Sequence, residues 1–325
     1  GFGELKSFGE RLYKHMRGRA HLYDVVHDNQ TLCWGLLKVR DLGLPVAGTI
    51  HHPITRDRDI AIAHARSLWM KLLIRRWHSF VNMQKKVAQR LDPVIVVSES
   101  TKRDVVTEFG VDPARMRVVL HGINTRDFHP EPGIVRKTNR IMAVASADVA
   151  LKGLIYLIRA YAKLVKERPD LELLVVSKLR EGNTSRELDE LGLRDKVKFV
   201  SGITLAEMRA YYAEATIAVS PSVYEGFGFP AGEAMACGVP VVSTNGGSLP
   251  EVVGDAGVIV PVRDADALAA AIGDLLDNPE KRANIGAAGY RRIQEKFLWT
   301  RAAADAVAVY KEAIAKHYGM ARADD

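Results

Sequence analysis

No apolar run in the sequence approaches the roughly 20 residues that a helix needs to span a bilayer, and the opening GFGELKSFGERLYKH lacks the apolar stretch of a secretory leader. Export and a transmembrane anchor are therefore set aside, and a soluble, cytoplasmic protein is expected. Cysteine is nearly missing. Cys33 and Cys237 are too few for a disulfide framework and sit in no CxxC or Cys/His ligand spacing, which excludes a stapled scaffold and a zinc module and suits a reducing compartment. Short-period repeats and low-complexity tracts are also absent.

The 325 residues are 47% hydrophobic and 26% charged, enough to bury a core in each of two domains. The net charge of +7 is unevenly held: residues 1–130 carry 21 Lys+Arg against 13 Asp+Glu, a net of +8, which leaves −1 for the remainder. An excess confined to the first half points to an anionic partner there, either a membrane surface, a phosphorylated acceptor or nucleic acid, unless it is simply a basic solvated surface. Nucleic acid is not expected, because no recognised binding motif accompanies the charge.

Short Val- and Ile-rich runs alternate with helical patterns, the signature of βα units around parallel sheets. Strands are predicted at 24–27, 46–51, 94–98 and 117–121, then at 140–145, 171–177, 197–201, 217–220, 239–243 and 258–260. Helices are predicted near 153–168, 204–215, 229–237 and 264–277, with helical sequence through 280–318. Asp127 to Asn139, with Pro130, Pro132 and Gly133, reads as a linker. Two Rossmann-like domains follow, over 1–132 and 133–300, with a terminal helix over 301–325 that packs back on the first. A domain of this type should open with a strand and a Gly-rich turn, whereas this chain opens in polar, helix-like sequence, so the first domain is expected to be incomplete.

The densest chemistry lies at YEGFGFPAGEAMACG, residues 224–238. Ile217 to Ser220 reads as a buried strand, Pro221 to Gly228 as the loop at its C-terminal end, and Phe229 to Cys237 as a helix with Pro230 in its first turn, where proline is tolerated. Ligands of open α/β sheets bind at that edge. Gly226 and Gly228 let backbone approach a ligand, and the helix start favours negative charge such as a diphosphate. A diphosphate would not attract the two carboxylates Glu225 and Glu233, but hydroxyl-rich groups would. A ligand with sugar hydroxyls at one end, ribose hydroxyls at the other and phosphate between accounts for every residue type present.

The stretch from EGFGFPAGE through EAMACGVPVV to NGGSLPEVVGDAG resembles the donor-site signature of the retaining GT-B glycosyltransferases of family four. The resemblance implies a GT-B fold, two Rossmann-like domains facing across a cleft, and transfer of a hexose from a UDP- or GDP-sugar to an acceptor hydroxyl with retained configuration. It implies that Glu225 contacts the transferred sugar, that Glu233 holds the ribose, and that the backbone of Gly226, Phe227, Gly228 and Phe229 faces sugar and phosphate. Lys152, opening a helix with Gly153 after the strand 140–145, would neutralise the leaving diphosphate. The family pairs this lysine with an arginine five residues earlier, where this chain has Ala147; Arg180 is a substitute candidate. In GTIHHP, the resemblance makes His51 the residue that contacts the donor sugar near the reacting carbon, with His52 as the alternative. His27, in DVVHDNQ at another strand end, is a candidate for the acceptor side or else a capping or core residue. The triplets Asp57-Arg58-Asp59 and Asp264-Ala265-Asp266 are not assigned to a metal, and none is expected in catalysis.

Residues 66–90 give one predicted helix with Trp69, Leu73, Trp77, Phe80 and Val87 on one face and Lys71, Arg75, His78, Asn82, Lys85 and Lys86 largely on the other. Its apolar face is expected against the sheet. Its basic face is a candidate contact with anionic lipid, which would make the protein peripheral to the inner face of a membrane and bring it to a lipid-linked acceptor. Two rival readings remain: a related GT-B sugar-phosphate synthase or phosphorylase, and an inactive nucleotide-sugar-binding or scaffold protein.

Overall fold

Each of the ten predicted strands is present, shifted at its ends by at most three residues. The structure is a computed structural model that describes residues 2–65, 67–145 and 149–319, without the side chains of Phe2, Asp57, Ile60 and His64. Arg66, Ala147 and the Asp57 side chain thus lie outside the described residues. The chain divides into two compact units, one of Gly1–Leu120 with Ala302–Asp325 and one of His121–Arg301.

In the first unit β1 (Val26–Asn29), β2 (Val46–Ile50), β3 (Val94–Val96) and β4 (Met116–Val118) lie in the order β1-β2-β3-β4, every pair parallel. β2 and β3 are buried at every position, which is why their sequences are continuous apolar runs and not alternating ones. Leu36, Val39, Val81, Val87, Leu91 and Phe109 from the surrounding segments complete the core. The terminal helix Trp299–Tyr318 adds Val309 to a cluster with Ala47, Ile95 and Val119, and Glu312 takes a two-nitrogen grip from Arg117. His27 lies inside β1, paired with Ala47, and not at a strand end as the sequence pattern predicts.

The second unit holds β5 (Arg140–Val144), β6 (Glu172–Val176), β7 (Val197–Val200), β8 (Ile217–Ser220), β9 (Val241–Thr244) and β10 (Val258–Val260). All neighbours are parallel, in the order β10-β9-β8-β5-β6-β7. Strands 5 to 7 build outward on one side and strands 8 to 10 on the other, so the order reverses between β5 and β8. In open α/β sheets the loops at the C-terminal ends of two such strands part to leave a crevice.

Two helical expectations are corrected. The stretch 66–90 is not one helix but Leu68–Trp77, a 3-10 turn at His78–Phe80, and Val81–Ala88. The turn resets the buried face: Val87 is fully buried, whereas Trp69, Leu73 and Trp77 are 66%, 39% and 65% exposed and no residue of Leu68–Trp77 is buried. The run 280–318 breaks at Phe297 and Leu298 into Pro279–Lys296 and Trp299–Tyr318, because the buried Phe297 gives its carbonyl to the Ile123 N–H at 2.7 Å. Asn183–Glu190 is a helix that polar sequence concealed.

Candidate functional site

The backbone of the donor-like loop is shaped by glycines packed against carbonyl oxygens. Gly228 turns at φ +104 into the helix Phe229–Ala236, whose first turn carries Pro230. Gly153 turns at φ +61 directly after Lys152, and a Cβ there would lie 2.0 Å from the Pro221 carbonyl oxygen. That contact docks the turn after β5 onto the loop after β8, and the Val223 N–H donates to the Leu151 carbonyl at 2.7 Å. From beneath, Gly246 and Gly247 approach the carbonyls of Ser222 and Glu225 closely enough that a Cβ would meet them at 2.6 and 2.2 Å. Thr244 Oγ1 donates to the Ser222 carbonyl, and Ser248 donates to the Glu225 carbonyl through its N–H at 3.0 Å and its hydroxyl at 3.1 Å.

On this frame the two loops at the sheet's reversal point bring opposite charges together. Lys152 Nζ donates to Glu225 Oε1 at 2.7 Å, and the Ser222 hydroxyl donates to the same oxygen at 2.9 Å. The Lys152 side chain is 28% exposed and that of Glu225 is 12% exposed, so both border solvent. One turn into the helix, Glu233 accepts from the hydroxyl of Tyr212 at 3.1 Å. Burial holds the Glu233 carboxyl above the usual range, opposed by that hydrogen bond, and burial with the neighbouring Glu233 charge pushes the Tyr212 phenol well up. Phe227 is buried and Phe229 half-exposed, with the His121 ring stacked on Phe229 at 5.3 Å and edge-on to Phe227 at 5.2 Å. These rings brace the loop that the glycines bend.

In the first unit, His51 follows β2. Its Nε2 lies 2.5 Å from Asn29 Oδ1, its backbone N–H donates to Gln30 Oε1 at 2.6 Å, and the His52 carbonyl accepts from Gln30 Nε2 at 3.0 Å. Burial, then the charges of His52 and His27, depress the His51 pKa, so the ring is neutral at pH 7. His27 bonds through Nε2 to Thr49 Oγ1 and through Nδ1 to the Tyr310 hydroxyl, both at 2.7 Å. That exposed ring ties the terminal helix to the sheet.

Lys152, Glu225, Gly226, Phe227, Gly228, Phe229 and Glu233 are thus brought together on one unit, and His51, His52 and His27 on the other. Ser222, Tyr212, Asn29 and Gln30 complete the two clusters and were not singled out from sequence. Ser222 stands three residues before Glu225 in the same loop, a readable position. Tyr212 reaches Glu233 only through the packing of its helix. Among the described residues no group of His, Cys, Asp and Glu is arranged to hold a metal.

Two families match the chain, Glycosyltransferase Family 4 over residues 2–127 and Glycosyl transferases group 1 over residues 125–292. An MMP alpha-(1->4)-mannosyltransferase of Mycolicibacterium hassiacum is 47% identical over 320 residues, which is 97% of this chain and 77% of that protein. A GDP-mannose-dependent alpha-(1-6)-phosphatidylinositol monomannoside mannosyltransferase of Mycolicibacterium smegmatis is 30% identical over 292 residues, covering 84% and 74%. The solved sucrose-phosphate synthase of Thermosynechococcus elongatus superposes with a TM-score of 0.76 at 26% identity, covering 97% of this chain and 79% of that one. The chain therefore belongs to glycosyltransferase family four and is a glycosyltransferase of the GT-B fold.

Proposed function

We propose that this glycosyltransferase moves a mannosyl group from GDP-mannose to an acceptor hydroxyl with retention of the anomeric configuration. The observation that carries nucleotide-sugar use is the meeting of Lys152, Glu225 and Ser222 at the reversal point between β5 and β8. Mannose and guanosine rest on the two mannosyltransferase relatives. The diphosphate lies against Lys152 and the helix start at Phe229, Glu233 takes the ribose hydroxyls, and Glu225 takes hydroxyls of the sugar. In the first unit His51 contacts the sugar, as neutral imidazole, and His52 faces the acceptor side.

In the reaction the bond from the anomeric carbon to the phosphate oxygen breaks with its electron pair leaving on that oxygen. Lys152 stabilises the charge. The acceptor oxygen bonds the same carbon from the same face, and its proton passes to the departing phosphate. Without donor, Lys152 and Glu225 neutralise each other, so binding exchanges their ion pair for Lys152–phosphate and Glu225–hydroxyl contacts. Glu225→Ala and Glu233→Ala should each reduce transfer at least ~100-fold, the scale of losing a group that stabilises the transition state, with circular dichroism unchanged. Full activity in either variant rejects the assignment. The anomeric coupling constant of the product tests retention, an inverted product rejecting it.

The acceptor is read as anionic and held at a membrane. Between Asp59 and Asp92 the chain has no acidic residue and seven Lys/Arg, and within that span Leu68, Trp69, Met70, Leu72 and Trp77 stand exposed. A helix with two exposed tryptophans among arginines suits the interface of an anionic bilayer, the indoles in the headgroup layer and the cations over phosphate. A sugar-phosphate acceptor is the second reading, favoured by the same basic excess and by the likeness to the synthase; product analysis with a phosphorylated sugar acceptor separates the two.

A further inference from the structure

The loop between β1 and the helix Trp34–Arg40 is strained in a way that its own residues do not repay. Gln30 and Leu32 both have positive φ, 64 and 45, a conformation that non-glycine residues adopt at a cost and that collects at functional sites. The side chains of Asp28, Thr31 and Gln84 hold it. Buried Asp28 accepts from the Leu32 N–H at 2.9 Å and from the Thr31 hydroxyl. Gln84, 2% exposed on a different helix, donates to the carbonyls of Gln30 at 3.1 Å and Thr31 at 3.4 Å. Gln84 does so while its Oε1 is buried with no hydrogen-bond partner among the described residues, an arrangement that costs stability. A loop held at such expense presents something, and what it presents is the side chain of Gln30, beside that of Asn29 at the end of β1.

The Gln30 carboxamide runs alongside the His51–His52 backbone as a strand partner would, its oxygen accepting the His51 N–H and its nitrogen donating to the His52 carbonyl. Asn29, one residue earlier, sets its carbonyl oxygen against the ring nitrogen Nε2 of the same histidine. We propose that Asn29 and Gln30 are positioning residues for the transfer reaction, the strained loop fixing both the backbone at His51–His52 and the Nε2–H tautomer of the His51 ring. This rests on the reading of His51 as the first unit's contact to the donor sugar. With an oxygen at Nε2, that nitrogen carries the proton, so the ring meets the sugar as one tautomer in a fixed orientation and not as a mixture of two.

Nitrogen-15 histidine labelling of the full chain, with the His51 signals assigned by their loss in His51→Gln, reads the tautomer directly. The expected result is a neutral Nε2–H ring in the wild type and a shift towards Nδ1–H in Asn29→Ala. In parallel, Gln30→Ala should lower kcat for transfer from GDP-mannose at least tenfold while leaving the Kd for GDP, which has no sugar, unchanged. Gln30→Glu keeps the acceptor for the His51 N–H and should retain more activity than Gln30→Ala. An unchanged His51 tautomer in Asn29→Ala overturns the inference, as does wild-type kcat in Gln30→Ala when His51→Gln is impaired. Full transfer by His51→Gln would instead reject the role of His51, and the tautomer measurement would then decide the loop's effect on the ring by itself.

Discussion

At the residue scale, the site is made as much by missing side chains as by present ones. Gly153 combines φ +61 with a contact that leaves no room for a methyl group, so Gly153→Ala carries both backbone strain and a clash with the Pro221 carbonyl. Its cost should be about 2 kcal/mol or more by chemical denaturation, and it should displace Lys152 from Glu225; a neutral effect on stability would contradict the close docking of the two loops. Glu233 gives a prediction of opposite sign. Its carboxyl is raised by burial, so the folded state favours the protonated form, and the stability this contributes at low pH is lost as pH rises through the folded pKa. Glu233→Gln should therefore stabilise the free protein at pH 8 relative to wild type, with the gain shrinking towards pH 5, while donor affinity falls. His27 and His51 behave in the reverse sense: burial depresses both, so their contribution is complete above the unfolded value near 6.5 and is lost on acidification. Thermal melts at pH 7.5 and 5.5 check this, since the drop should be smaller in His27→Gln than in wild type.

At the scale of elements, the strands were legible because parallel strands buried on both faces are continuous Val/Ile runs, and the helix after β8 was legible from its glycine and proline punctuation. The helices at 66–90 were only half legible. An apolar stripe says that a helix has something to cover, not what covers it, and the 3-10 turn at His78–Phe80 let Val81–Ala88 enter the core while Leu68–Trp77 stayed outside. That exposure yields the element's own prediction. In vesicle sedimentation the protein should bind anionic lipid more than neutral lipid, and Trp69→Ser with Trp77→Ser should remove most of that binding without changing stability by more than about 0.5 kcal/mol, as for ordinary surface substitutions. Binding that ignores lipid charge, or that survives the double substitution, would contradict the reading.

At the scale of the molecule, the sequence singled out the candidate donor residues because they are contiguous: Glu225, Gly228 and Glu233 fall within nine positions. What it could not locate are partners joined only by folding. Lys152 meets Glu225 across 73 residues, Gln84 supports Gln30 across 54, and Tyr310 closes on His27 across 283. The reversal of strand order between β5 and β8, which turns Lys152 and Glu225 from two motifs into one site, is likewise a property of the sheet. The most direct test of that site needs no acceptor. Calorimetric titration with GDP-mannose should give saturable binding to the wild type, weakened at least tenfold, about 1.4 kcal/mol, in both Lys152→Ala and Glu233→Ala; binding that neither substitution alters would contradict the account.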